Sequence, residues 1–364
     1  MNRIISEGKF SFLAFNKGFP SVFCFVLLIL QFPFWNNSLA QYKDFSNSSE
    51  IDTNFIKSYQ DQLIVRTYGI TKYNRLSLID QPTGTQFNYE PNSNVNFGLG
   101  FNYKWLGFNA AFNFPFVNDD DDKLGDTRSL DLQADIYGRK YLLNVIYQDY
   151  EGFRLTNNDL LIPQISTRDT IFKKRNDVNT RAFGINGFYN FNNKKFSYLS
   201  SFIQNEWQKK SAGSFFLGGY FSLLDLKADS SFIPESLSND FQYYQEVSQA
   251  NFTTLGVSGG YAHTFVFLEH FFITLSAAVG IGGEMSRTVM SDEDEVYLRE
   301  ASLSYATFTR GAIGYNEDSF HVGMSFSSNF NAYREQKITD VIYQFGNVRF
   351  YLVKRFQLGK GKKS

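Results

Sequence analysis

An all-β chain, forming a transmembrane antiparallel β-barrel of about 12 strands with 10 to 14 admissible, is the fold class the sequence predicts. Three observations predict it. The dominant hydrophobic period is two, as in strands with one face in an apolar medium. The alternating runs are about nine or ten residues long, the length that crosses a bilayer at a tilt of about 45°. Aromatic residues are in excess: 41 Phe, 22 Tyr and 3 Trp make up 18% of the 364 residues.

The composition excludes other classes. Lys+Arg number 35 against 36 Asp+Glu, a formal net charge of -1, which argues against a nucleic-acid binder built on many phosphate contacts. Hydrophobic residues reach 43% but are interleaved with Asn, Ser, Gly and charged residues. The runs of about 20 apolar residues that a helical membrane protein needs therefore do not recur. With 3 His and 1 Cys, the chain offers neither a zinc-ligand set nor a disulfide framework. No cofactor is implied.

Residues 1–40 read as an export signal. Arg3, Lys9 and Lys17 supply positive charge, an apolar run follows from Val22 to Leu30, and Ser38-Leu39-Ala40 places small residues before a cut. Cleavage between Ala40 and Gln41 is the expectation, with export through the Sec pathway. Three of the 35 basic and one of the 36 acidic residues leave with the signal, so 32 and 35 remain, net -3. Cys24 leaves too, so disulfides cannot stabilise the exported chain. Residues 41–60 lack a regular period and read as a linker. Residues 61–357 are expected to form the barrel, and 358–364 a basic tail.

Val95–Lys104 is the clearest strand: Val95, Phe97, Leu99, Phe101 and Tyr103 alternate with Asn96, Gly98, Gly100, Asn102 and Lys104. Leu106–Phe114 repeats the pattern after a turn at Trp105. Leu130, Leu132, Ala134 and Ile136 oppose Ser129, Asp131, Gln133 and Asp135, and Phe271–Gly282 and Phe320–Phe330 alternate likewise. Further candidates run Leu63–Ile79, Tyr141–Tyr150, Phe183–Asn190, Phe196–Trp207, Ser214–Leu223, Thr254–Phe265, Leu303–Tyr315 and Val341–Phe356. Tyr103, Trp105, Phe114, Phe116, Tyr137 and Tyr141 lie at strand ends, where interfacial girdles belong. Bulk on one face and Gly, Ser and Asn on the other fit a barrel with its apolar face toward lipid. A secreted soluble β-protein binding a ligand or glycan, with its bulk inward, is the alternative.

These candidates number thirteen, whereas single-chain bacterial barrels use an even number. Short and long connections alternate except between Phe196 and Asn251, so either one strand there is false or a long connection lies on the periplasmic side. The last strand, ending at Phe356, resembles the recognition strand read by the barrel assembly machinery.

Candidate sites are few. Asp119, Asp120, Asp121 and Asp122 supply the hard oxygen donors that divalent cations prefer, and Asp292–Glu295 is a second acidic run. Neither has the spacing of an EF-hand loop, so the expectation is no metal site. His321, Ser325 and Ser327 share the polar face of one strand and form the weak catalytic alternative, that of an outer-membrane lipid hydrolase or deacylase. The nearest serine lies about 13 Å along an extended strand from the histidine, beyond hydrogen-bond reach. Lys209-Lys210 precedes Ser211-Ala212-Gly213-Ser214 without the glycine and lysine spacing of a phosphate loop. Gly256, Gly259, Gly260, Gly280, Gly282 and Gly283 mark close approach or curvature rather than a dinucleotide site. Asp131, Asp135, Arg349 and Arg355 are the charged residues expected in the lumen. Charges of both signs there plug a barrel rather than form an ion filter.

Tyr89-Glu90-Pro91-Asn92, the strand Phe97–Lys104, Lys210-Ser211-Ala212-Gly213-Ser214-Phe215 and the closing Lys354-Arg355-Phe356 together resemble the domain-of-unknown-function family 4421, found in outer-membrane proteins of Bacteroidota-type bacteria. The resemblance spans about Ser58 to Phe356. It implies a barrel in the cell outer membrane and supplies no catalytic or binding residues. The expected role is non-enzymatic, a narrow channel or a structural or surface platform. Outer-membrane lipid and lipopolysaccharide are the expected partners, no nucleic acid is, and oligomeric state is left open.

Overall fold

The computed structural model describes residues 51–103, 106–113, 125–156, 174–233, 247–290, 296–298, 302–335 and 339–357. Its strands are β1 (Ile56–Ser58), β2 (Leu63–Asp80), β3 (Gln86–Glu90), β4 (Val95–Tyr103), β5 (Leu106–Asn113), β6 (Arg128–Tyr137), β7 (Tyr141–Leu155) and β8 (Lys174–Asn190). After the short helix α1 (Tyr198–Phe202) come β9 (Glu206–Gln208), β10 (Ala212–Lys227), β11 (Val247–Phe267), β12 (Phe271–Met290), β13 (Val296–Leu298), β14 (Ser302–Asn316), β15 (Phe320–Glu335) and β16 (Thr339–Phe356).

Every long strand pairs antiparallel with its neighbour, and the sheet closes on itself. β16 pairs with β2 along its whole length, from Thr339 opposite Asp80 to Phe356 opposite Leu63. The hydrogen-bonded circuit runs β2, β16, β15, β14, β12, β11, β10, β8, β7 and back through β3. β3 bridges the two ends with Tyr89, which faces Leu76 on β2 and Leu155 on β7. Below that bridge the wall continues as β4 and β5 on the β2 side and β6 on the β7 side. β5 and β6 share no pairing among the described residues. The closed circuit thus has ten strands, with β4, β5 and β6 as additional wall strands among the described residues, within the expected range of ten to fourteen.

The two faces have opposite polarity. Leu99 (59% exposed), Leu255 (70%), Val279 (68%) and Phe350 (63%) point outward. Gly98, Gly100, Ser258, Ala278, Gly280 and Ala306 on the same strands or their neighbours are buried inside. The inverted pattern is that of a barrel solvated by lipid. In β4 the outward set is Phe97, Leu99 and Phe101, as the alternation requires. The glycines of β11 and β12 have a specific cause. Tyr220 on β10 lies across them, and a Cβ at Gly256, Gly280 or Gly282 would sit 2.5, 2.7 or 2.8 Å from its atoms. A large ring covering small residues fills the wall without bulging it.

Five expectations need correction. β4, β5 and β6 have 9, 8 and 10 residues, near the nine or ten expected, but the long strands of the circuit exceed that: β11 has 21, β12 has 20, and β2 and β16 have 18 each. At about 3.3 Å per residue such strands outrun a hydrocarbon layer of about 30 Å. Phe196–Trp207 is not a wall strand but α1 and β9, folded inward; its removal restores the even count. The linker over 41–60 is ordered at its end, where β1 pairs with β9. The connection Asp80–Asn94 holds β3. Tyr137 faces the lumen, its ring 5.4 Å from that of Tyr198, and so does not belong to the outer girdle. The signal segment, its cut at Ala40 and Gln41, Trp105, Phe114, Phe116 and the tail lie outside the described residues.

Candidate functional site

The barrel interior holds the polar and charged groups most in need of explanation. At the short-turn end, residues 191–211 leave the wall after β8, fold into the lumen and return as β10. Ser197 caps α1, its hydroxyl accepting from the Ser200 amide at 3.0 Å. The helix spans 5 residues, too few to be stable alone, so its stability comes from the wall around it. It ends at Phe202 with Ile203 as its C-cap, and Gln204, with a φ of 62°, turns the chain back. The carbonyls freed there are met by arginines: Arg66 donates to Ile203 O and Arg355 to Gln204 O at 3.0 Å. Cationic donors at a helix C-terminus answer both the unpaired carbonyls and the dipole. Ser201 and Thr274 hydroxyls lie 2.6 Å apart, and Thr274 continues to Thr264 at 2.8 Å.

Glu206 on β9 anchors this insertion. It is fully buried, its Oε1 lies 2.6 Å from Arg139 Nη2, and its Oε2 accepts from Ser197 Oγ at 2.5 Å. Burial pushes its carboxyl above the ordinary value, opposed by Arg139 and the Ser197 hydroxyl. β1 closes the insertion from outside, with Ile56, Lys57 and Ser58 opposite Gln208, Trp207 and Glu206. On the rim, Lys57 and Tyr59 both donate to Asp318, Tyr59 at 2.8 Å. These donors hold the Asp318 carboxyl below its ordinary value.

The four charges named from the sequence do not pair with one another, and Arg355 lies at the short-turn end, where it meets Gln204 O. Asp131 binds Lys72 at 3.0 Å and accepts from Gln148 at 2.9 Å and Tyr150 at 2.8 Å. Asp135 accepts from Tyr137 at 3.0 Å and from Asn144, with Arg310 3.6 Å away. Arg349 lies over the Tyr68 ring at 5.0 Å, and Arg355 over Tyr59 at 4.0 Å while donating to Asn316 at 2.9 Å. Lys72 and Arg310 are the partners sequence reasoning missed. The signal was present: each occupies an inward position of an alternating strand, between Ile70 and Asn74 and between Phe308 and Ala312.

Toward the long loops an apolar cluster closes the lumen, with Tyr89, Phe232, Phe252, Tyr333, Tyr343 and Phe345 among its members. The rings of Phe252 and Tyr333 stack at 4.7 Å. Two interior cavities measure about 30 and 20 Å³, space for a water or two each.

The remaining candidates fall apart from one another. His321 is buried against Phe272 and Tyr351, and its Nε2 lies 3.4 Å from the Tyr351 hydroxyl. Ser325 and Ser327 share its inward face, without a hydrogen bond to it. His263 points outward beside Tyr261, and His270 stands on the rim, its ring stacked on Tyr315. Asp119–Asp122 and Asp292–Glu295 lie outside the described residues. Among the described residues no three His, Cys, Asp or Glu side chains converge on a metal position.

Residues 50–356 match the family described as "Domain of unknown function (DUF4421)". No curated protein matches the sequence. The outer membrane protease OmpT from Escherichia coli is similar over 82% of this chain and 98% of its own, at 8% identity and a TM-score of 0.37. The translocator domain of the autotransporter NalP from Neisseria meningitidis is similar over 93% and 98%, at 6% identity and 0.33. The outer membrane protein OprG from Pseudomonas aeruginosa is similar over 83% and 99%, at 8% identity and 0.22. At these values the likenesses assign neither activity nor ligand.

Proposed function

Since the chain belongs to the family of domain of unknown function DUF4421, whose description assigns no activity, we propose a function from the barrel itself: a non-enzymatic outer-membrane protein with a closed lumen. It reaches the membrane after Sec export and loss of residues 1–40, and serves as a structural or surface platform rather than as a conducting channel. The observation that carries this reading is the inward-folded segment 191–211, locked by Arg139–Glu206 at one end of a lumen closed by aromatic rings at the other. An apolar outer face supports the membrane location. The lipid-hydrolase alternative draws nothing from His321, whose ring nitrogen meets a tyrosine rather than a serine.

Purified protein in planar bilayers tests the closed lumen. Unheated samples should migrate as a compact, heat-modifiable band and show no conductance steps. Regular single-channel steps from the wild-type chain would overturn the closed lumen, and recovery only from the soluble periplasm would overturn the membrane location.

A further inference from the structure

Lys209 and Lys210 carry no phosphate-loop signature, yet the fold gives them company. Lys194 and Lys195, on the turn after β8, meet them at the short-turn end. The Gln208 side chain donates to Lys195 O at 2.7 Å and to Lys210 O at 3.0 Å, tying the two backbones together. The ammonium groups of Lys195 and Lys210 lie 5.1 and 5.8 Å from the centre of the same Phe55 ring. Lys209 N donates to Phe55 O at 2.7 Å, and Lys194 O accepts from Asp52 N at 3.0 Å. All four lysines are exposed. None makes an ion pair among the described residues, whereas Lys57 and Arg139 at the same end have Asp318 and Glu206.

The outer wall of this sector is aromatic. Tyr141, Phe191, Phe215 and Tyr261 are exposed. Tyr141 meets Tyr189 at 5.5 Å and Tyr189 meets Phe191 at 5.0 Å; Phe215 meets Tyr261 at 4.9 Å. Phe191 lies three residues before Lys194, and Phe215 five after Lys210, so the rings and ammonium groups occupy adjacent levels along the barrel axis. Aromatic rings at the membrane–water boundary with lysines just beyond them place positive charge at the depth of lipid phosphates.

We propose that this sector of the rim is a binding site for anionic glycerophospholipid headgroups in the leaflet that meets the short turns. The inference rests on the membrane reading above. Charge complementarity selects an anion, and the outward rings select a lipid: a soluble polyanion would engage the lysines and leave four rings in water.

The test uses the mature chain reconstituted in vesicles of equimolar phosphatidylcholine and phosphatidylglycerol. Lipid retained after mild detergent extraction is then quantified by mass spectrometry. The wild type should retain phosphatidylglycerol in excess over the bulk ratio. The variant Lys194→Gln/Lys195→Gln/Lys209→Gln/Lys210→Gln should lose at least about tenfold of that preference, since each lysine near a charged surface is worth about fivefold. Lys227→Gln, at the opposite end of β10, should keep it. Retained preference in the quadruple variant, or none in the wild type, would overturn the site. Displacement of the lipid by an equal concentration of inorganic phosphate would also overturn it, reassigning the lysines to a free anion. All three proteins are first checked for the heat-modifiable band, because failure of the wild type to insert would count against the membrane reading instead.

Discussion

Glu206→Ala should loosen the inner segment without dismantling the wall. The mutation removes the carboxylate that faces Arg139 at 2.6 Å, where the two side chains are 0% and 9% exposed. Arg139 would be left buried and charged, and Ser197 Oγ would lose its acceptor. Breaking a buried pair from one side costs about 3–5 kcal/mol, most of it the desolvated partner. An apolar replacement of both residues restores much of that loss, so Arg139→Met/Glu206→Leu should be markedly more stable than Glu206→Ala. Trp207 is the reporter: it adjoins Glu206, and its indole donates to Glu269 O at 3.2 Å, so its fluorescence follows release of β9 from the rim. Urea titration of the protein folded in detergent should give an early Trp207 transition in Glu206→Ala while the β-sheet circular dichroism persists. A cost below about 1 kcal/mol, or a double variant no better than the single one, would refute the assignment of Arg139–Glu206 as the anchor.

Two further outcomes follow from the wall and the rim. Leu99→Arg places a charge on the outer face of β4, where Leu99 is 59% exposed, and should cost about 2–4 kcal/mol in lipid. It is measured as loss of the heat-modifiable band in urea; an unchanged midpoint would mean that Leu99 does not face hydrocarbon. Asp318 is held below its ordinary value of 3.8 by Lys57 and Tyr59, so the unfolded chain binds the extra proton first and stability falls with pH across that interval. Fluorescence of Trp207 should therefore show β1 and β9 loosening as the pH drops below 3.8, with a smaller slope in Asp318→Asn and in high salt, which screens this exposed rim pair. An equal acid slope in Asp318→Asn would exclude the contact as its source.

The alternation of Phe97, Leu99 and Phe101 with Gly98 and Gly100 determined a strand with two unlike faces from sequence alone; that the bulky face points outward is decided by the closed sheet. A period of two is a local property, and lipid outside the barrel rewards it at each residue independently. The same parity carries the expectation that Asp131, Asp135, Arg349 and Arg355 face the lumen. Their partners did not follow. Lys72 meets Asp131 across 59 residues of chain, and only the closing curvature of the sheet brings β2 and β6 together. The segment Phe196–Trp207 was misread for a related reason. Its helix has 5 residues, less than two turns, so no 3.6 period can develop, and Phe196, Tyr198 and Phe202 mimic a strand. What makes it a helix is tertiary: arginines from β2 and β16 at its carbonyls, Thr274 at Ser201, and β1, drawn from the far end of the chain, beside β9. Likewise the four rim lysines form two unremarkable pairs in sequence. They become one charged surface because Gln208 and Phe55 hold two separate turns at the same point of the barrel.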